Sequence, residues 1–290
     1  MRTSFLVSIK AFGDFVIAAN ALRAVRQLPP QTCDLKLLAG EHLRQLAEAL
    51  RVESRVRFIP SGGNYPAAYD VRAGGLPRAL RSLFRLRRLF TALPRDCELI
   101  FDRAGWRERV LGSGYQRSSY VAAPNIYQAG TATLRTAGYV LEEERAESVA
   151  GARRGPGKVA AIFASSRLAH KTIPPGVLGR VVEQLRESGL DPEVIALAGE
   201  KLDLPAGVPV RQIERNFSAV SASICGSALV VSSDSVPAHL AEYLGVPTYV
   251  LSPVPNEYWL PLSAFLTRGW SLFTDDRGLP TWLRSNLKPL

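Results

Sequence analysis

The chain has 290 residues, which is long enough for two domains of ordinary size. Its composition, 47% hydrophobic and 21% charged, excludes an intrinsically disordered protein. The net charge of +10 indicates a polyanionic partner: nucleic acid, an anionic membrane or a phosphorylated small molecule. The three cysteines and three histidines form no clustered motif, which argues against a zinc site. No apolar run approaches the roughly 20 residues that span a bilayer.

In the first half of the chain, predicted strands alternate with predicted helices. Apolar segments that read as buried strands occupy residues 3–9, 34–40, 55–60 and 97–102. Segments with helical spacing of apolar residues occupy 15–27, 41–50 and 77–93. This alternation favours a parallel, doubly wound sheet.

A charged, glycine-rich segment at residues 143–157 interrupts the alternation and reads as an interdomain linker. A second series follows it, with strands at 158–164, 193–199, 208–213, 228–233 and 246–251, and helices at 174–188, from 217 and at 236–244. The sequence therefore predicts an α/β protein of two Rossmann-like domains, residues 1–150 and 151–290. A ligand cleft between them, at the carboxyl ends of the strands, is the expectation for such sheets.

Gly13 and Asp14 stand between the first predicted strand and the first predicted helix. A glycine there lets the backbone turn sharply or approach a substrate closely. Asp14 has two readings, an N-cap of the helix or a general base that projects into the cleft.

The segment "SSDSVPAHLAEYLGVP", residues 232–247, is the more specific motif. An apolar strand ends at Ser233 and Asp234, a helix starts around Pro237, and Gly245 closes it. Hydroxyl groups and free N–H groups at a helix N-terminus suit a sugar or a pyrophosphate. The alternative is an ordinary capped helix in which His239 is only packed.

Residues 76–95 hold six arginines and no acidic residue, and so supply +6 of the net charge of +10. On a helix, one stripe is basic and consists of Arg78, Arg81, Arg85 and Arg88. The opposite face is apolar and consists of Leu76, Leu80, Leu83, Leu86, Phe90 and Leu93, while Phe84 and Leu89 fall close to the arginines. The pattern suits contact with anionic lipid or a phosphorylated lipid-linked acceptor, or else a solvated basic face. Nucleic acid fits less well, because no recognised binding module accompanies the arginines.

Several of these segments together resemble the family 9 glycosyltransferases, the bacterial heptosyltransferases. "KAFGDFVIAANALRAVR" resembles that family's amino-terminal signature, in which a Gly-Asp pair follows the first strand. "SSDSVPAHLAEYLGVP" is similar to its signature D-T-G-x-x-H-L-A-A-A-L-G-V-P. The residues that match this signature are Asp234, His239, Leu240, Ala241, Leu244, Gly245, Val246 and Pro247.

Two further segments extend the resemblance over both halves of the chain. "ASSRLAHKTIPP" places Lys171 at the family's lysine before a W-P pair, and "CELIFDRAGWRERV" resembles the strand D-L-V-I-D-L-Q-G. The chain departs from the family pattern at Ser235-Val236, which replace Thr-Gly, and at Ile173, which replaces the tryptophan. These departures leave the identity of the sugar open.

The resemblance implies the GT-B architecture, two Rossmann-like domains that face a cleft, the first binding an acceptor and the second a nucleotide-sugar. The tail 262–290 is expected to pack back on the first domain, by analogy with this fold class. The implied activity is inverting transfer of a heptose-like sugar from a nucleotide-diphosphate donor, with ADP-heptose as the family's usual donor. The implied acceptor is the lipopolysaccharide core or a related lipid-linked glycan, at the cytoplasmic face of the inner membrane.

The resemblance also assigns roles to residues. Asp14 is the expected general base, because an acceptor hydroxyl has a pKa far above neutrality. Lys10 and Gly13 are expected to contact the acceptor. The expected donor-binding residues are Lys171, Ser233, Asp234, Ser235, Val236 and His239. No DxD pair of acidic metal ligands is present, so Lys171 and the helix N-terminus near Ser235 are expected to replace a metal, and no cofactor is expected.

Two alternatives share this layout. A non-hydrolysing nucleotide-sugar epimerase would need more acid/base groups in the cleft than three histidines readily provide. A non-catalytic protein could keep the fold and bind a sugar nucleotide or lipid. Retained donor binding with lost transfer in an Asp14→Asn variant would distinguish an enzyme from the latter.

Overall fold

The strands of the chain form two parallel sheets, as seen in a computed structural model that describes residues 2–9, 11–26, 33–60, 75–142, 157–275 and 277–287. The first sheet contains β1 (Arg2–Ser8), β2 (Cys33–Gly40), β3 (Val56–Ile59), β4 (Glu98–Phe101) and β5 (Gln116–Arg117). Its strand order is β3-β2-β1-β4-β5, and every pair is parallel.

The second sheet contains β6 (Val159–Phe163), β7 (Asp191–Leu197), β8 (Val210–Ile213), β9 (Leu229–Ser233), β10 (Thr248–Ser252) and β11 (Trp270–Leu272). Its order is β11-β10-β9-β6-β7-β8, again with parallel pairs only. In each sheet the first strand lies inside, with the later strands added on both sides. This is the strand order of a Rossmann fold.

The helices of the first half are α1 (Phe12–Ala24), α2 (Arg44–Ala49), α3 (Gly75–Phe90), α4 (Trp106–Leu111) and α5 (Ile126–Thr136). Those of the second half are α6 (Pro175–Glu187), α7 (Phe217–Cys225), α8 (Val236–Leu244), α9 (Leu262–Thr267) and α10 (Gly278–Asn286). Short 3₁₀ turns lie at Glu41–Leu43, Glu53–Arg55, Ala169–Lys171 and Glu257–Trp259. Within the described ranges, no helix combines the length and the apolar character that crossing a membrane requires.

The chain divides into two compact units, Met1–Ala123 with Tyr127–Ala146, and Pro124–Ile126 with Glu147–Leu290. In the first unit, Leu83, Leu86 and Phe90 of α3 pack with side chains of β1 and β4. In the second unit, the apolar face of α6 packs on β6 and β9. Residues 143–156 of the predicted linker lie outside the described residues.

Helix α1 begins earlier than the sequence predicts. Its first residue is Phe12 and its last is Ala24, so Gly13 and Asp14 lie inside its first turn rather than before it. The N-cap position is held by Ala11, which makes no side-chain capping bond, so the prediction of Asp14 as N-cap is wrong. The ring of Phe12 lies edge-on to His42, with centroids 6.0 Å apart, and this contact holds the start of the helix.

Helix α3 carries the apolar face that the sequence predicts, with one exception. Leu83, Leu86 and Phe90 are buried, whereas Leu76 is 54% exposed. The helix begins at Gly75, so Leu76 lies in its first turn, beyond the part of the helix that covers the sheet. The prediction of Leu76 as an apolar-face residue is therefore wrong.

The carboxyl-terminal tail packs within the second unit as far as it is described. Leu279, Trp282 and Leu283 of α10 are buried in the same core as α6. The Trp282 indole also donates a hydrogen bond to Thr267 Oγ1, at 2.9 Å. The buried face of this helix thus completes the core of the second unit.

Candidate functional site

The strand order of each sheet indicates where a ligand would bind. In a doubly wound parallel sheet, loops leave two adjacent strands in opposite directions at the switch point and open a crevice at their carboxyl ends. The switch point lies between β1 and β4 in the first sheet, and between β6 and β9 in the second. Asp14 follows β1, Lys171 follows β6 and Asp234 follows β9, so the candidate residues stand at these two points.

An ion pair joins the two sides of the switch point in the second unit. Lys171 Nζ lies 2.7 Å from Asp234 Oδ2 and 3.4 Å from the Asp234 carbonyl oxygen. The Asp234 side chain is only 7% exposed, and that of Lys171 is 25% exposed. Because water is largely excluded from the carboxylate, this pair is screened less than a surface pair.

The segment that carries Lys171 is fixed by Ile173, the residue at the family's tryptophan position. Ile173 is buried in the core of the second unit, and its N–H donates to the Ala164 carbonyl at 2.8 Å. The 3₁₀ turn Ala169–Lys171 precedes it and directs the lysine toward the end of β9. The smaller apolar side chain therefore still anchors this segment.

Asn256 completes the cluster and was missed by the sequence analysis. Its Nδ2 donates to Asp234 Oδ2 at 3.0 Å, so Lys171 and Asn256 share one carboxylate oxygen. Asn125, which belongs to the second unit, fixes the residues after Asn256 by donating to the Leu260 carbonyl at 3.0 Å. The sequence does contain a signal for Asn256, because it is a polar residue in the loop after β10. The carboxyl end of β10 lies beside that of β9 in the parallel sheet.

The serines near the start of α8 have different environments. Ser233 is buried, and its hydroxyl donates to the Ser165 carbonyl at 3.2 Å. Ser233 Oγ also lies 3.0 Å from Ser235 Oγ, so it positions the second hydroxyl. Ser235 occupies the N-cap without a side-chain capping bond, and Val236, half-buried, is the first helical residue. The hydroxyl of Ser235 and the helix N-terminus thus lie beside Asp234.

His239 is buried one turn into α8, and its pKa is strongly shifted. Burial lowers the pKa of His239 to about 4, the Asp234 carboxylate opposes this, and the Lys171 ammonium adds to it. The imidazole is therefore neutral at pH 7 and contributes hydrogen bonding rather than charge. Lys171 is the cation of this cluster.

Glu242, three residues further along α8, is a second buried ionisable group. Its Oε2 accepts hydrogen bonds from Ser263 N at 3.1 Å and from Ser263 Oγ at 2.5 Å. Burial raises the pKa of Glu242 to about 7, although both bonds from Ser263 act to lower it. This carboxyl group joins α8 to the start of α9.

In the first unit, Gly13 and Asp14 are half-buried in the first turn of α1, and Lys10 lies outside the described residues. A negatively charged side chain in the first turn interacts favourably with the helix dipole. Asp14 therefore stands at the carboxyl end of β1 as predicted, on a helix rather than in a loop.

Arg103 belongs to the surroundings of Asp14, although the sequence analysis gave it no role. It follows β4 and bonds the neighbouring Asp102 carboxylate, with Nε–Oδ1 and Nη2–Oδ2 distances of 3.3 and 3.2 Å. Burial lowers the pKa of Arg103, but the carboxylates of Asp102, Asp14 and Glu108 outweigh it and raise the pKa above its usual value. Arg103 aligns with the second leucine of the strand D-L-V-I-D-L-Q-G that this segment resembles, so the motif gave no indication of a charged group at this position.

The two clusters differ in the chemistry they can perform. The second unit offers a cation, hydroxyls and a helix N-terminus, which together suit a phosphorylated sugar. The first unit offers a carboxylate at a strand end, which can accept a proton. Among the described residues, no group of three or more His, Cys, Asp or Glu side chains is arranged to hold a metal ion.

Sequence comparison gives no relative: no family model matches the chain, and no curated protein matches it. Comparison of structures does find proteins of similar fold. E. coli heptosyltransferase WaaC with ADP matches with a TM-score of 0.65 at 14% identity, over 98% of this chain and 99% of that chain. A family 9 glycosyl transferase from Veillonella parvula DSM 2008 matches with a TM-score of 0.63 at 12% identity, over 99% and 90%.

A third solved structure, E. coli ADP-heptose lps heptosyltransferase II, matches with a TM-score of 0.57 at 13% identity, over 99% of this chain and 98% of that chain. The chain therefore has the fold of the family 9 heptosyltransferases, with two Rossmann-like sheets. The predicted α/β class and GT-B architecture are confirmed at the level of the fold.

Proposed function

We propose that the protein is an inverting glycosyltransferase that moves a heptose-like sugar from a nucleotide-diphosphate donor to a lipopolysaccharide-core or related lipid-linked glycan. The observation that carries the proposal is the Lys171–Asp234–Asn256 cluster at the switch point of the second sheet, beside the N-terminus of α8. It occurs in a fold shared with heptosyltransferases, whose structures include WaaC with ADP. ADP-heptose is accordingly the donor to test first.

On the donor side, the diphosphate needs positive charge as it departs. Lys171 supplies it, and the N–H groups and dipole of α8 add to it, so that leaving-group charge is stabilised without a metal in this proposal. Asp234 accepts hydrogen bonds from the sugar hydroxyls, while Ser235 and Val236 line the helix start. The buried side chains of Ser233 and neutral His239 lie next to these groups and help to position them.

On the acceptor side, Asp14 takes the proton of the acceptor hydroxyl. The new bond forms from that oxygen to the anomeric carbon as the bond to the diphosphate breaks on the opposite face, which inverts the configuration. The nucleoside diphosphate leaves with the bonding electron pair, and the proton stays on Asp14. Arg103, whose pKa is raised in part by the charge of Asp14, is the cation that lies near this carboxylate.

A binding screen with ADP-, UDP-, GDP- and dTDP-sugars tests the donor assignment by calorimetry on the full chain. We expect saturable binding of one nucleotide-sugar, weakened by about tenfold or more in Lys171→Met, because a charge-assisted bond to phosphate is lost. Release of nucleoside diphosphate only when a lipid-linked glycan is added, with an inverted linkage by NMR, completes the test. Absence of binding to all four classes would refute the proposal, and conversion of the donor sugar without acceptor would favour an epimerase.

A further inference from the structure

Helix α3 presents a fixed basic face to solvent. The basic face consists of Arg78, Arg81, Arg85 and Arg88, all exposed. Residues 76–95 include no acidic side chain, so the helix itself offers no carboxylate to neutralise these charges. With 3.6 residues per turn, the four guanidinium groups project from one side of the helix, opposite its buried face.

An apolar edge runs from the buried side of α3 to the basic face. The apolar edge consists of Leu76, Leu80 and Phe84, which follow one another at intervals of four residues, so that Phe84 is the member that stands beside the arginines. Leu76 is 54% exposed and Phe84 is 62% exposed, while Leu80 between them is half-buried. Phe84 lies three residues after Arg81 and four before Arg88, so its ring stands between two arginines on the helix surface.

The orientation of this surface is set by the rest of the domain. Ala79, Leu83 and Leu86 are buried on the opposite side of α3. Arg87 is half-buried, donates to the Ser113 carbonyl at 2.5 Å, and places its guanidinium 5.8 Å from the centre of the Tyr115 ring. Arg87 therefore ties the helix down, which distinguishes it from the four arginines of the basic face.

We infer that the basic face and the apolar edge of α3 dock on an anionic lipid bilayer, independently of sugar transfer. Arginines meet lipid phosphates by charge-assisted hydrogen bonds, while Phe84, which lies beside them, enters the boundary between headgroups and acyl chains. A solvated basic face accounts for the arginines but leaves the exposed Phe84 beside them without a role. Duplex nucleic acid would meet the arginines but offers no apolar phase for that edge.

The number of arginines sets the expected strength of binding to an anionic bilayer. Each basic residue at an anionic surface strengthens binding by about fivefold, so three arginines account for about 100-fold. Burial of an exposed phenylalanine ring adds about tenfold. Salt screens the arginine contribution and leaves that of Phe84, since screening acts on charge.

The test is co-sedimentation of the full chain with vesicles of phosphatidylcholine alone or mixed with phosphatidylglycerol, without sugar donor. The variant Arg78→Gln/Arg81→Gln/Arg88→Gln is compared with Arg109→Gln/Arg135→Gln/Arg284→Gln, which removes three exposed arginines elsewhere. Phe84→Ser is compared with Leu266→Ser, because Leu266 is 58% exposed on α9. Thermal unfolding of each variant establishes that it is folded.

We expect binding to the anionic vesicles that is about 100-fold weaker in the first triple variant and unchanged in the second. Phe84→Ser should weaken binding by about tenfold, and Leu266→Ser should not change it. Equal binding by the two triple variants, equal binding to both vesicle types, or displacement from vesicles by duplex DNA would each overturn the inference. Because no donor is present, these outcomes are separate from failure of the proposed transferase activity.

Discussion

Lys171 and Asp234 are 63 residues apart in the sequence, yet Lys171 Nζ lies 2.7 Å from Asp234 Oδ2 at the switch point of the second sheet. The strands that carry them, β6 and β9, are neighbours although β7 and β8 intervene in the chain. The parallel topology therefore assembles a charged pair that neither motif contains by itself.

The coupling between Lys171 and Asp234 is the first prediction. Lys171→Met leaves a nearly buried carboxylate with Asn256 as its remaining described partner, so we expect a loss of about 2 kcal/mol in the free energy of unfolding. Adding Asp234→Asn should recover part of that loss, with a coupling energy of about 1–3 kcal/mol from urea unfolding.

An exposed ion pair provides the control for this cycle. Arg44 and Glu41, 2.6 Å apart with side chains 49% and 47% exposed, should couple by about 0.5 kcal/mol or less. If the two cycles gave equal coupling energies, burial would not be what strengthens the Lys171–Asp234 pair.

Asn256 is predicted to be a positioning residue for Asp234. Asn256→Ala removes one hydrogen bond to the carboxylate and should weaken donor binding by about fivefold. Asn256→Asp places a second carboxylate there, so we expect a larger loss that diminishes as pH falls and the two carboxylates share a proton. Calorimetry of donor binding against pH measures both effects.

The control for this prediction is Asn286→Asp, because Asn286 also donates a hydrogen bond, to the Trp282 carbonyl, but lies on α10. It should leave donor affinity and its pH dependence unchanged. A pH-independent loss in Asn256→Asp would mean that Asn256 acts only through the fold of its loop.

Asp14 is predicted to be the general base. Asp14→Asn should lower the rate of transfer by about 10²–10⁴-fold while donor affinity is retained, because the amide cannot accept the proton. Asp34→Asn provides a matched change on β2, where Asp34 pairs with Lys36 at 2.8 Å, and should transfer at the normal rate. Wild-type transfer by Asp14→Asn would exclude this residue as the base.

The pH dependence of stability is predicted from two buried groups on α8 that act in opposite directions. The pKa of Glu242 is raised from 4.5 to about 7, so the folded state holds a proton that the unfolded state releases, and stability falls as pH rises through this window. The pKa of His239 is lowered from 6.5 to about 4, so stability falls as pH drops through that window. Each contribution is up to about 3 kcal/mol, and they largely offset each other where the windows overlap.

Single substitutions should reveal each contribution. Glu242→Gln keeps an acceptor for Ser263 and removes the loss of stability toward neutral pH, so its stability should rise from pH 4 to 6.5 and then level off. His239→Gln should instead lose stability as pH rises from 4.5 to 7. Urea unfolding across this range measures both profiles, and parallel curves for the two variants would contradict the assignment.

Two glycines are predicted to respond to alanine with opposite signs. Gly245 ends α8 at φ +73° with open space around it, so Gly245→Ala should cost about 1–2 kcal/mol of unfolding free energy through backbone strain alone. Gly130 lies within α5, and an added β-carbon would meet Ala21 Cβ at an ordinary 3.8 Å. Gly130→Ala should therefore stabilise the protein by about 0.5–1 kcal/mol, and thermal unfolding distinguishes the two.

The segments that carry the site, and most strands and helices, can be located from the amino-acid sequence alone, whereas β5, α4, α5 and β11 were not predicted. Buried parallel strands are continuous apolar runs, and helices show their spacing locally, so β6, β9 and α8 can be located from residue pattern. The resemblance likewise identifies Lys171 and Asp234, since it depends on residue order. Local pattern is less reliable at element ends, and for this reason the predicted start of α1, after Asp14, differs from its observed start at Phe12.

Which side chains meet, and which are removed from water, depends on the folded arrangement of the chain. Asn256 bonds Asp234 because the ends of β9 and β10 are adjacent in the second sheet. Arg103 lies near the charge of Asp14 because β1 and β4, which are distant in the chain, are adjacent in the first sheet. The shifted pKa values of His239 and Glu242 arise from burial, which depends on what other segments pack over α8. Periodicity along the chain records which face of an element is apolar, whereas contacts and dielectric environment are set by the segments that fold against it.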